Sequence, residues 1–179
     1  AASFWESFET IDELDLDQFI ILSSGALRRL GRKEPEFSDE IKQLIQEIYP
    51  SLAEKNAGYI GRFLLAVNAP TSECVDEMIT RGNDDEQAAA IMAVNFRDDA
   101  EVFKDKVVHA CRTNSTTVHS AVSQGNPYPA KYFDDQEFKQ LTIKTIFMGL
   151  DFDKIVDLEN RFNGELGQSL TDFFEERRA

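Results

Sequence analysis

Apolar residues recur along this chain at the spacing of a helix. Ile41, Leu44, Ile45 and Ile48 fall at i, i+3, i+4 and i+7, as do Ile143, Ile146, Phe147 and Leu150, and Leu166, Leu170, Phe173 and Phe174 form a similar stripe near the end. Each stripe marks the face that a helix must bury against a neighbour. Start signals punctuate these runs. Asn83 with Glu86, Asp98 with Glu101 and Asp134 with Glu137 each set a short polar cap three residues before a Glu that can reach back to it. Phe133 and Phe138 flank the last of these caps as a hydrophobic staple. Gly31, Gly82 and Gly125 follow helical runs where a left-handed residue would end them.

This punctuation predicts helices over residues 3–14, 17–30, 39–49, 55–67, 71–81, 84–94, 99–112, 115–124, 135–149, 153–159 and 164–177, with no convincing strand. Short connections make successive helices antiparallel neighbours. The expected fold is all-α: helical hairpins stacked as a HEAT-like solenoid or an irregular bundle, although no sequence repeats at a fixed spacing. The polar break from Gly31 to Phe37 is too short to separate a second domain, so residues 1–179 are read as one.

Composition narrows the function more than the fold. A hydrophobic content of 42% suits one sizeable core, and 33 acidic against 19 basic residues give a formal charge of −14. Such a chain is repelled by phosphate backbones and anionic bilayers, so nucleic acid is not an expected partner. No stretch approaches the roughly 20 apolar residues that span a bilayer. The start, AASFWESFET, lacks the basic region and apolar core of a secretory signal. Cys74 and Cys111 form no CxxC pair, which fits a reducing, cytoplasmic setting.

Candidate chemistry is sparse. His109, His119 and Cys111 could in principle ligate a metal or form a Cys/His pair, but none of the usual ligand spacings supports this, and a single Cys is most often a small buried apolar group. There is no phosphate-cradling glycine loop, and Asp151 and Asp153 read as cap and first-turn residues. Neither a cofactor nor a metal is expected. At residues 111–116, one helix end meets the next helix start. Arg112 can sit on the carbonyls that end the first helix while Asn114 or Ser115 caps the second. In Asn126-Pro127-Tyr128-Pro129 the prolines push their predecessors toward extended backbone, giving a pinned loop whose Tyr128 fills a groove between helices or walls a binding site.

The segments CRTN at 111–114 and NPYPAKYF at 126–133, with Arg161, Asn163, Leu166, Asp172, Glu176 and Arg177, resemble the EboA family, most specifically from Cys111 to Arg178. Upstream, LRRLGRKE at 27–34 and the apolar helix near 59–67 are compatible with it, and His119 stands where an apolar residue is expected. The resemblance implies a HEAT-like helical protein with no established reaction. Its gene cluster also encodes a membrane prenyltransferase-like protein, a sugar-phosphate-cyclase-like enzyme and metal-dependent hydrolase-like or isomerase-like proteins. In some cyanobacteria that cluster is linked to moving secondary-metabolite precursors, those of a sunscreen pigment included, from cytoplasm to periplasm.

The expectation is therefore a non-catalytic cytoplasmic accessory protein, a scaffold or ligand-binding module for biosynthesis or export of a secondary metabolite. Its partners would be other Ebo-cluster proteins, the membrane prenyltransferase among them, and a small-molecule ligand. Arg112, Asn114, Asn126 and Tyr128 are the first candidates to converge on that ligand, with Arg161 and Asn163 second, because Arg and amide donors beside an aromatic suit an anionic or sugar-like group. The alternatives are an enzyme of unrecognised type using His109 or Glu176, and an adaptor that docks a partner on a concave face.

Overall fold

The computed structural model describes residues 2–48, 50–161 and 164–176; within these, the side chains of residues 2, 3, 41, 44, 46–48, 51, 165, 173, 174 and 176 lie outside the description. The helices are α1 (Ala2–Glu6), α2 (Leu16–Leu30), α3 (Asp39–Ile48), α4 (Ala57–Val67), α5 (Ser72–Arg81), α6 (Asp84–Ala93), α7 (Lys104–Ala110), α8 (Thr116–Ser123), α9 (Tyr128–Tyr132), α10 (Asp135–Phe147), α11 (Leu158–Arg161) and α12 (Gly164–Glu176). Short 3-10 turns join several of them, and no strand occurs among the described residues. The fold class is all-α, as the periodicity predicts.

The even-numbered helices pack in a row: α2 on α4, α4 on α6, α6 on α8, α8 on α10 and α10 on α12. On the flank, α5 packs against α2 and α6, and α7 against α5 and α8. A regular solenoid needs a second helix of constant length in every unit. Here those helices shrink from 10 residues in α5 to 7 in α7, 5 in α9 and 4 in α11, so the molecule is an irregular bundle. At its centre α6 is buried on nearly every side, and Ala88, Ala89, Ala90 and Ala93 allow α4, α5 and α8 to approach closely. Where α2, α4 and α6 meet, Ser23 Oγ donates to Glu86 Oε1 at 3.2 Å and the buried Arg62 donates through Nε to the Ser23 carbonyl at 3.3 Å. Polar groups taken out of water are thus hydrogen-bonded.

Local signals hold where neighbouring residues complete them. Both Asn83/Glu86 and Asp134/Glu137 form capping boxes, and Phe133 and Phe138 are buried at the latter. A third box, Asp15 with Gln18, opens α2. The Asp98/Glu101 signal fails, because Ala100–Phe103 winds as a 3-10 helix whose N-cap, Asp99, makes no capping bond. That carboxylate is held instead by Arg97, with Nε 2.7 Å from Oδ1 and Nη2 2.9 Å from Oδ2, and the guanidinium pulls its pKa down.

Four further expectations are corrected. The helix at 3–14 stops at Glu6, and the chain turns before a 3-10 segment at Ile11–Glu13. The helix at 99–112 is the 3-10 turn plus the shorter α7. Gly31 and Gly125 have positive φ (85° and 68°), but Gly82 has φ −64° and is not left-handed. It is small because a Cβ there would strike the Met78 carbonyl oxygen and stand 2.7 Å from Glu86 Cβ. The loop at Asn126–Pro129 is not extended at Tyr128: Pro127 sits in the helical region (φ −74°, ψ −11°) and Tyr128 begins α9. Proline is accommodated there because an N–H in the first turn of a helix has no intrahelical acceptor to lose.

Candidate functional site

The side chains that the sequence singles out are divided between interior and surface. Asn126 is buried. Its Oδ1 accepts from Asn95 Nδ2 and from the Tyr128 N–H, both at 2.9 Å, and its Nδ2 donates to the Ala121 carbonyl at 2.7 Å. Tyr128 is buried as well, and its hydroxyl donates to the Ala100 carbonyl at 2.7 Å; burial pushes its pKa up, so it stays protonated. Arg161 donates through Nη1 to the carbonyls of Phe133 (2.9 Å) and Pro129 (3.4 Å) and through Nη2 to Asp135 Oδ1 (2.6 Å), with its guanidinium 4.4 Å from the Phe138 ring centroid. It clamps the end of α9 to the start of α10. Asn163 and the side chain of Glu176 lie outside the described residues.

Arg112 is exposed, and its side chain makes no hydrogen bond or ion pair among the described residues. It stands on a ridge between two hollows. The larger, about 470 Å³, lies between α5, α6 and α7, with Lys106, His109, Thr113 and Gln87 on its walls and Ile79 and Ala110 as apolar floor. The smaller, about 120 Å³, is bordered by Val108, Cys111, Phe133, Glu137 and Lys144. Asn114 adjoins this ridge without capping α8: its Oδ1 accepts from Lys144 Nζ at 3.0 Å, while Ser115 Oγ makes the cap to Val118 N–H. Arg112 and Asn114 are therefore placed at the same helix junction. Asn126 and Tyr128 face inward and line neither hollow.

The larger hollow is basic in a chain of net charge −14. Lys106 holds Asp76 at 3.0 Å, which leaves the Arg112 guanidinium, beside the exposed His109, as a cation without a partner among the described residues. Thr113 Oγ1 accepts from the Ser115 N–H at 3.0 Å, so its own O–H is free to turn toward the hollow. Gln87 spends its amide N–H on the Gly82 carbonyl at 2.7 Å, keeping its amide oxygen as an acceptor. Sequence reasoning missed Lys106, Gln87 and Thr80 here. A signal for the first existed: Lys106, His109 and Ala110 fall at i, i+3 and i+4, so they share one face of α7.

The groups with shifted pKa are structural. Burial pushes the Cys111 thiol up to about 12, and its Sγ donates to the Val107 carbonyl at 3.4 Å. His119 is fully buried; Nδ1 lies 3.2 Å from the Cys111 carbonyl oxygen and Nε2 3.0 Å from Thr145 Oγ1, and burial lowers its pKa. Among the described residues no group of three or more His, Cys, Asp or Glu side chains is placed to hold a metal ion, and no helix is long and apolar enough to cross a membrane.

Fold and site together define an all-helical protein that presents a basic surface cavity beside a rigid buried core. The chain belongs to the EboA family: the family model described as metabolite traffic protein EboA matches residues 12–179. No curated protein and no solved structure matches it.

Proposed function

We propose that this chain is a non-catalytic accessory protein of metabolite traffic that holds an anionic intermediate in the cavity beside Arg112. One observation carries the reading: Arg112 offers a guanidinium without an ion pair among the described residues at a cavity of about 470 Å³, a size that suits a small metabolite, on a chain of net charge −14. A fork of N–H donors matches a carboxylate or phosphate, and the Thr113 hydroxyl and Gln87 amide oxygen add neutral contacts. The membership in a metabolite traffic family supports the same role. The setting we propose is cytoplasmic, in support of biosynthesis or export of a secondary metabolite and alongside other proteins of the Ebo cluster, a membrane prenyltransferase among them.

Two features place this reading ahead of an enzyme and an adaptor. A thiol raised to about 12 is the reverse of an activated nucleophile. Among the described residues the large exposed apolar side chains Trp5, Ile21, Phe96, Val102, Phe147 and Phe152 each stand on a different element.

The test is native mass spectrometry of the protein purified gently from its own host, beside the variant Arg112→Ala. The expected result is an excess mass on the wild-type chain that the variant loses while keeping its Tm. Retention of that mass by the variant removes Arg112 from the site, and bare wild-type protein whose Tm does not respond to inorganic phosphate overturns the anion-holding role.

A further inference from the structure

A second cleft, of about 290 Å³, opens along another flank of α6, between the chain entering α4 and the exposed side of α8. Its floor is Ala88 and Met92 of α6 and Ala121 of α8. Lys55 stands at its edge, with Nζ 5.1 Å from the centroid of the Tyr59 ring. The ring is fixed from behind, because the Tyr59 hydroxyl donates to Met92 Sδ at 2.7 Å. An aromatic face holds a cation in place without neutralising it. Lys42, Lys104 and Lys106 each meet a carboxylate, whereas Lys55, in a chain with 33 acidic residues, has none among the described residues.

The opposite wall is a set of hydroxyls on one side of α8: Thr116, Thr117 and Ser120. Six other helical hydroxyls turn back on their own helix. Ser24, Thr80, Ser123, Thr142, Thr145 and Thr171 each donate to the carbonyl four residues earlier, at 2.7–3.0 Å. Ser120 is half-buried in mid-helix and makes no such bond, and the hydroxyls of Thr116 and Thr117 likewise have no partner among the described residues. Hydroxyls that both donate and accept match other hydroxyls, and a single unpaired ammonium matches one negative charge. The volume limits the occupant to a small molecule.

We propose that this cleft binds a small hydroxylated organic monoanion of the hydroxy-carboxylate class, its carboxylate on Lys55 and its hydroxyls on Thr116, Thr117 and Ser120. The site is separate from the Arg112 cavity and stands whether or not that cavity is occupied. The probe is gluconate, with glucose as the uncharged control, titrated into the full ¹⁵N-labelled chain and followed by amide chemical shifts. Saturable shifts at Tyr59, Thr117, Ser120 and Ala121 are expected. Glucose should bind about tenfold more weakly or worse, and Lys55→Gln should weaken gluconate by about tenfold or more. Ser120→Ala, a change well tolerated in a helix, should weaken it severalfold with an otherwise unchanged spectrum. Three results overturn the site: no saturable shift there up to about 10 mM gluconate, ten times a Kd of about 1 mM; equal affinity for glucose; or unchanged binding by Lys55→Gln. Shifts confined to Gln87, His109 and Thr113 would also overturn it, by assigning the anion to the Arg112 cavity.

Discussion

His119 of α8 and Thr145 of α10 meet in the interior, with Nε2 3.0 Å from Oγ1. The Cys111 carbonyl can only accept, so Nδ1 carries the hydrogen, and in the neutral ring Nε2 must accept from the Thr145 hydroxyl. That hydroxyl also lies 2.8 Å from the Leu141 carbonyl oxygen, so one proton serves two acceptors. Burial, together with the nearby Lys144 charge, favours the neutral form.

A pH dependence of stability follows. The folded pKa of His119 lies below the unfolded value of 6.5, so between the two the unfolded chain binds the extra proton. The contribution is fully present above about pH 6.5 and is lost as pH falls toward the folded pKa. Urea denaturation at about pH 7.5 and about pH 5.5 should show a loss on acidification that is smaller in His119→Gln. An identical loss in the variant would assign the effect to other groups.

Arg161 and Arg112 should behave oppositely when truncated. Arg161 serves two carbonyls and Asp135, so Arg161→Ala should cost about 2–3 kcal/mol by urea denaturation. Arg112→Ala removes an exposed, unpaired side chain and should change stability by less than about 0.5 kcal/mol. A large loss in Arg112→Ala would make its role structural.

Neither cysteine should react in the native state. Cys74 and Cys111 are both buried, and the Cys111 thiol, held at about 12, has almost no thiolate at about pH 8. Modification by Ellman's reagent is expected to be slow in buffer and complete within minutes once the chain is unfolded in denaturant. Rapid labelling of a single thiol in buffer would contradict the burial of that residue.

Two glycines make a matched pair. Gly82→Ala drives a Cβ into the Met78 carbonyl and the Glu86 side chain and should destabilise by about 1–3 kcal/mol. At Gly164, which opens α12, nothing among the described residues lies within 4 Å of an added Cβ, so Gly164→Ala should be neutral or slightly stabilising. Thermal unfolding of the two variants measures the difference directly.

The elements that sequence reading recovers are those whose evidence lies within one turn. Asn83 with Glu86, and Asp134 with Glu137, complete their caps from residues three apart. Asp98 with Glu101 looks identical on paper, yet a residue outside the pattern, Arg97, takes the neighbouring Asp99 and the backbone winds more tightly. Of the five candidate ligand-contacting residues that the structure describes, Arg112 alone borders a described hollow, with Asn114 beside it. Asn126 and Tyr128 have the composition of a binding loop but are directed into the core.

Helical class and the positions of the longer helices from α2 to α6 and of α10 were legible in the order of residues, because periodicity and capping act over three or four positions and need no partner from afar. Which polar group is spent and which is left free was decided by packing. Asn126 finds Asn95 31 residues away, Tyr128 finds Ala100 28 away, and His119 finds Thr145 26 away. Such pairings exist only once α6, α8 and α10 are laid side by side, and the same packing leaves Arg112 and Lys55 beside open cavities with no ion pair among the described residues.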